Sequence, residues 1–291
     1  MNKNILANLS LKIVISSGIA IVGLRFLLAF LFGQSASSWY VITSYICELS
    51  AFLVAGCFCL RNFFDPKILS DKMIWLCLGI GTLSFFIGDL IFLYWEVILQ
   101  RSPDITLGDL FFVNFYMFLI GGMILAVAYR KVRLMPWQWA TILLIAAIAT
   151  SLGWWTSYPS NTVEVEISNT ITEQVVETTA PGWVIATEQL LEPIIEPLNL
   201  FYVAGDVVIL VLAATIVLTF WGGKFSQTWT AIGFAILAHY LADLRYAYIV
   251  TRDSYATGGI MECFWTVSGV LFAIGAALEY NLSNRSRKRL R

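Results

Sequence analysis

Six carboxylates in this sequence stand inside apolar runs, where lipid hydrocarbon would exclude them: Glu48, Asp89, Asp109, Asp206, Asp243 and Glu262. An acid at that depth is costly unless it is paired, hydrated or protonated, so such groups face a bundle interior or a water-filled hollow. The countercharges within the same runs are Arg25 and Arg245, which leaves an excess of four negative charges over the six acids. That excess must be met by protons, water or a bound cation. The chemistry it points to is the uptake of positive charge: a cation, a proton or a small amine.

His239, the single histidine, precedes Asp243 by four positions, which puts both on one helical face, and Tyr246 follows three later. The three are expected to act together. Phe85 occupies the place matching His239 in the internal repeat described below, which favours a packed, hydrogen-bonded histidine over a metal ligand. Tyr45, Tyr94, Tyr202, Tyr240, Tyr246, Tyr248, Phe264 and Trp265 lie at or above the level of the acids. Aromatic faces beside carboxylates suit an organic cation, although an interfacial aromatic belt has the same composition. Cys47, Cys57, Cys59, Cys77 and Cys263 all fall in apolar segments and read as small packing groups, with no disulfide framework or metal motif.

No cofactor is expected. The spans carry no lysine for a retinal Schiff base, no histidine pair for haem, no phosphate loop and no serine–histidine–acid set. Catalytic residues are therefore not assigned.

The elements that must position these groups are membrane helices. Apolar residues make up 59% of the chain and charged ones only 13%, against about a quarter charged in soluble domains. About 20 apolar residues cross a bilayer as a helix, because other backbone conformations leave peptide groups unpaired in hydrocarbon. Eight segments qualify, at roughly 13–33, 40–60, 73–98, 107–129, 138–157, 198–221, 228–250 and 258–280. The fold class is thus all-α, a polytopic membrane protein of about eight spans. The first run is read as retained rather than as a cleaved signal peptide.

All but four of the 18 Lys and Arg residues fall on one side when the amino terminus is cytoplasmic; the exceptions are Arg25, Arg101, Arg245 and Arg252. The positive-inside rule then places both termini in the cytoplasm. The basic cluster from Arg285 to Arg291 suits an anionic leaflet, and nucleic acid is not an expected partner. The loop at about 158–197 carries seven glutamates and no Lys or Arg, so it belongs outside. Alternation across Val163, Val165, Ile167, Ile171 and Val175 suggests a short hairpin, followed by a helical piece near Trp183 to Leu191, with a mobile acidic linker as the equal alternative because two short strands alone are marginal.

An internal duplication organises the whole. Trp75, Gly79, Leu83, Asp89, Leu90 and Tyr94 match Trp229, Gly233, Leu237, Asp243, Leu244 and Tyr248 at one offset of 154 positions. With a small loop shift Glu48 matches Asp206, and Asp109 matches Glu262. The expectation is a pseudo-symmetric 4+4 tandem repeat, 1–134 and 135–291. Two halves with even span counts share one orientation and are related by an axis along the membrane normal. All six acids then fall in the outer half of their spans.

Three segments carry a resemblance. SPDITLGDLFFVNFYMFLIGGMIL at Ser102–Leu125, NLFYVAGDVVILVLA at Asn199–Ala213 and FWTVSGVLFAIGAALEY at Phe264–Tyr280 resemble parts of bacterial multi-span sensory regions. Regions of that kind stand before diguanylate cyclase or histidine kinase domains. The resemblance implies a sensory role in the bacterial inner membrane; Asp109 and Asp206 match its aspartates as pattern, and no catalytic residue carries over. This sequence ends at Arg291 without an output domain, so sensing is expected to need a separate signalling protein. The lipid bilayer and a second copy of the chain complete the expected partners. A proton- or cation-coupled transporter is the alternative, and a metal-dependent hydrolase using His239, Asp206 and Asp243 a lesser one.

Overall fold

The computed structural model describes residues 3–33, 37–101, 105–129, 134–157, 181–223, 225–252 and 257–288. Among them the protein is all-helical, with no strand. The long helices are α1 (Lys3–Phe32), α2 (Ser38–Phe64), α3 (Lys72–Leu93), α4 (Gly108–Tyr129), α5 (Pro136–Ser157), α7 (Ile195–Phe220), α8 (Ser226–Val250) and α9 (Cys263–Lys288). A short α6 (Gly182–Leu191) runs into α7 through a single 3-10 turn. This α6 is the helical piece expected near Trp183. The suggested hairpin at 163–175 lies outside the described residues.

Seven of the helical segments are long and apolar enough to cross a membrane. Helix α8 matches them in length at 25 residues but not in apolarity, because it carries His239, Asp243, Arg245 and three tyrosines. Outward faces are apolar: Phe30 is 79% exposed and Leu143 64%. Surfaces of that kind suit lipid rather than water.

The ends of the helices differ from the expected spans in two informative places. The last span was expected to begin at 258, yet Gly258 has a φ of +122° and Ile260–Glu262 forms a 3-10 turn before α9. A backbone in that region is open to glycine and strained for other residues, so the chain turns here instead of starting a helix. At the end of α3 the helix loosens into one π turn, Tyr94–Ile98.

Six helices close a ring in the order α2, α3, α4, α7, α8, α9, with α9 packing back on α2. The other two long helices sit outside it, α1 against α9 and α2, and α5 against α7 and α8. Phe52, Phe115, Leu119, Met123, Ile232 and Phe272 fill the middle of the ring and are almost wholly buried. Trp75 and Trp229 meet across it with ring centroids 6.5 Å apart. Toward one end of the bundle this packing gives way to a polar hollow.

Candidate functional site

The hollow is a cavity of about 190 Å³ lined by Glu48, Asp89, Asp109, Asp206, Asp243 and Glu262, together with Arg25 and His239. An apolar cavity of about 150 Å³ already holds a benzene-sized molecule, so there is room for a small ligand. The acids converge because they occupy the same end of their helices. Glu48, Asp109 and Asp206 lie in the first halves of α2, α4 and α7, Asp89 and Asp243 near the ends of α3 and α8, and Glu262 just before α9.

The carboxylates form two unlike groups. In the first, Glu48 has Asp89, Glu262 and Asp243 as negative neighbours and Arg25 as its positive one. The Arg25 guanidinium is 1% exposed. It donates to the Tyr40 hydroxyl at 3.1 Å and lies 3.6 Å from Glu262 Oε2. Gly258 completes this knot: its amide donates to Glu262 Oε2 at 2.7 Å and its carbonyl accepts from Tyr40. A Cβ at Gly258 would stand 2.4 Å from Tyr40 Cε1, which a real side chain does not tolerate.

The second group is dense in hydrogen-bond donors. Tyr116 Oη lies 2.7 Å from Asp206 Oδ1 and 2.5 Å from Asp243 Oδ2. A phenol has one proton to give, so both contacts are hydrogen bonds only when one of the two carboxyls supplies a proton of its own. The indole of Trp265 donates to Asp243 Oδ1 at 2.6 Å. Asp109 accepts from the Tyr202 hydroxyl at 2.9 Å and from the Thr106 amide at 2.8 Å.

His239 Nε2 lies 3.3 Å from Asp243 Oδ2, as their spacing on one helical face required. The ring is 1% exposed and is packed among Phe52, Phe85, Phe115 and Tyr116. Its Nδ1 has no hydrogen-bond partner among the described residues.

Arg245 requires a correction. Expected as a countercharge, it is absent from the cavity wall, is exposed, and sits with its guanidinium 5.5 Å from the Tyr248 ring. The cause is helical rotation: two residues past Asp243 is about 200° around α8, onto the opposite side. Among the described residues one guanidinium therefore lines the cavity with six acids, a formal excess of five negative charges.

The aromatic residues divide in the same way. Tyr45, Tyr202, Tyr246 and Trp265 line the cavity. Tyr240 instead donates to the Ala149 carbonyl at 2.8 Å, and Tyr248 packs on Trp155. Phe264 packs on Phe26 of α1, and Tyr94 is among the exposed side chains.

Two residues of this end escaped the sequence reading. Tyr116 is seven positions after Asp109, two turns along the same face of α4, and that spacing was the available signal. Glu96 lies in the π turn and accepts from the Tyr45 and Thr257 hydroxyls, the latter at 2.7 Å; no spacing rule on a regular helix would have aimed it there.

Helix α6 is tied beside the π turn. Trp183 meets Trp95 edge to face with centroids 5.6 Å apart. The Trp95 indole donates to Glu188 Oε1 at 3.1 Å, and Arg101 Nε donates to the same oxygen at 2.9 Å. Among the described residues no three His, Cys, Asp or Glu side chains gather tightly enough to hold a metal ion.

Comparison of the chain with protein-family models, with curated proteins and with solved structures finds no match.

Proposed function

We propose that this chain is a membrane-embedded binding and sensing module whose acidic cavity takes up positive charge. One observation carries the reading: among the described residues, six carboxylates and a single guanidinium line one hollow. Carboxylates gathered in low dielectric without matching cations draw protons or a positively charged ligand.

Phe52, Phe85, Phe115 and His239 pack as one layer, of which Phe85 and His239 line the cavity. A packed aromatic layer there favours binding over passage, which ranks the transporter reading second. The hydrolase reading has less support, since the His239 ring sits among aromatic side chains.

In this proposal all eight long helices span the membrane, α8 included, because His239 and Asp243 line the cavity and its neighbours are α7, α9 and α5. The halves 1–134 and 135–291 are a tandem repeat. Supporting it, Trp75 touches Trp229 and Phe85 touches His239, both pairs at the offset of 154 that separates Asp89 from Asp243. Equivalent residues meet in this way only near a twofold axis. Positive charge on the loops sets both termini in the cytoplasm and the cavity toward the outside. A bacterial inner membrane and a separate signalling partner, reached through shifts in helix packing, complete the reading.

Thermal unfolding of the purified protein in lipid nanodiscs tests it. At constant ionic strength, Na+, K+ and a series of alkylammonium salts are titrated in turn. At least one should raise the midpoint saturably in the native chain, and the shift should vanish in Asp89→Asn/Asp243→Asn. No saturable shift with any cation, or one that survives in a folded double variant, would sink the proposal.

A further inference from the structure

We infer that the ligand is a small primary ammonium ion with an apolar body, and that its charged end seats on Asp89 beside Glu48 rather than on the Asp206–Asp243 pair. This rests on the cavity being a cation site, as proposed above.

The two acid groups differ in what they still lack. Asp206 and Asp243 share the Tyr116 hydroxyl at 2.7 and 2.5 Å, and Asp243 also accepts from Trp265. Each of the pair already has a hydrogen-bonding partner in the wall. Asp89 is different: it is 6% exposed, lines the cavity, and its Oδ2 accepts no hydrogen bond among the described residues. Glu48, equally buried, adjoins it. A buried carboxylate oxygen without a donor is an unmet demand for an N–H or O–H group.

Ligand class follows from that demand and from the wall facing it. A quaternary ammonium has no N–H and would leave Asp89 Oδ2 as it is, however well aromatic faces receive its charge. A primary ammonium brings three donors. The adjoining wall is Phe85, Phe92 and Phe112, with Phe85 and Phe112 rings 5.1 Å apart. The carboxylate oxygens of Asp89 and Glu48 would also suit a hard inorganic cation, but only a ligand with a hydrocarbon body makes use of the phenylalanine wall. Space of about 190 Å³ holds a benzene-sized body with a short arm.

Isothermal titration of the native chain in nanodiscs with 2-phenylethylammonium, its N,N,N-trimethyl counterpart, Na+ and K+ separates the alternatives. The primary ammonium should bind saturably and at least tenfold tighter than the trimethyl form. Asp89→Asn should weaken it at least tenfold more than Asp206→Asn does. Equal affinity for the trimethyl form, or a larger loss at Asp206, would overturn the assignment while leaving a cation cavity in place. Binding confined to Na+ or K+ would overturn it in the same manner. Silence from every probe would remove the cavity reading as well. The comparison of primary with trimethyl ligand needs no variant, so a misfolded Asp89→Asn would not shield the inference.

Discussion

Phe85 and His239, separated by 154 positions in the chain, lie ring to ring with centroids 5.2 Å apart. One is hydrocarbon and the other a potential acid, base or ligand, yet they share one packed layer between α3 and α8. The contact makes the histidine part of an aromatic layer that floors the cavity, where ring volume matters as much as nitrogen chemistry.

His239→Phe is accordingly expected to change unfolding free energy by only about 1 kcal/mol. Losing the contact with Asp243 is offset by removal of an Nδ1 that has no partner. His239→Ala leaves a void in the same layer and should cost about 3 kcal/mol, as truncation of buried rings does. Equilibrium unfolding in mixed micelles distinguishes the two, and equal losses would refute a packing role.

Tyr116 joins α4 to α7 and α8 through one hydroxyl. Tyr116→Phe deprives two buried carboxyls of that bridge and is expected to destabilise the bundle by about 1–3 kcal/mol. Gly205→Ala should act in the same direction, because a Cβ there would come within 2.7 Å of Tyr116 Cδ1 and push the ring aside. Retention of native stability by both variants would show that the bridge contributes nothing.

Arg101 and Glu188 hold α6 beside the cavity end of α3, helped by the Trp95 indole. Glu188→Ala should release α6, seen as at least tenfold faster hydrogen exchange over residues 182–191, with little change in the spans. The exchanged pair Arg101→Glu/Glu188→Arg should recover part of the protection. Unchanged exchange in Glu188→Ala would mean that the Trp95–Trp183 contact alone holds the helix.

Much of the molecule is local physics and was legible before any coordinates. Lipid leaves no partner for an unpaired peptide group, so a long apolar run reads as a helix, as with Gly108–Tyr129 against an expected 107–129, although α1 begins ten residues before its expected start and α9 ends eight after its expected end. The acids were legible too. Their positions along the runs place all six at one end, and the structure puts all six on one cavity.

What the sequence did not decide is everything that depends on rotation about a helix axis and on the choice of neighbour. Arg245 and Asp243 are two residues apart, yet one faces outward and the other faces the cavity, because each residue turns the helix by about 100°. Tyr116 looked like one more aromatic residue until α7 and α8 brought Asp206 and Asp243 to its hydroxyl. Hydrophobic run length is a property of a segment and can be read from it; the closed order α2, α3, α4, α7, α8, α9 is a property of side chains meeting across the ring. Only that meeting separates the carboxylates bonded by Tyr116 and Trp265 from Asp89, whose Oδ2 accepts no hydrogen bond among the described residues.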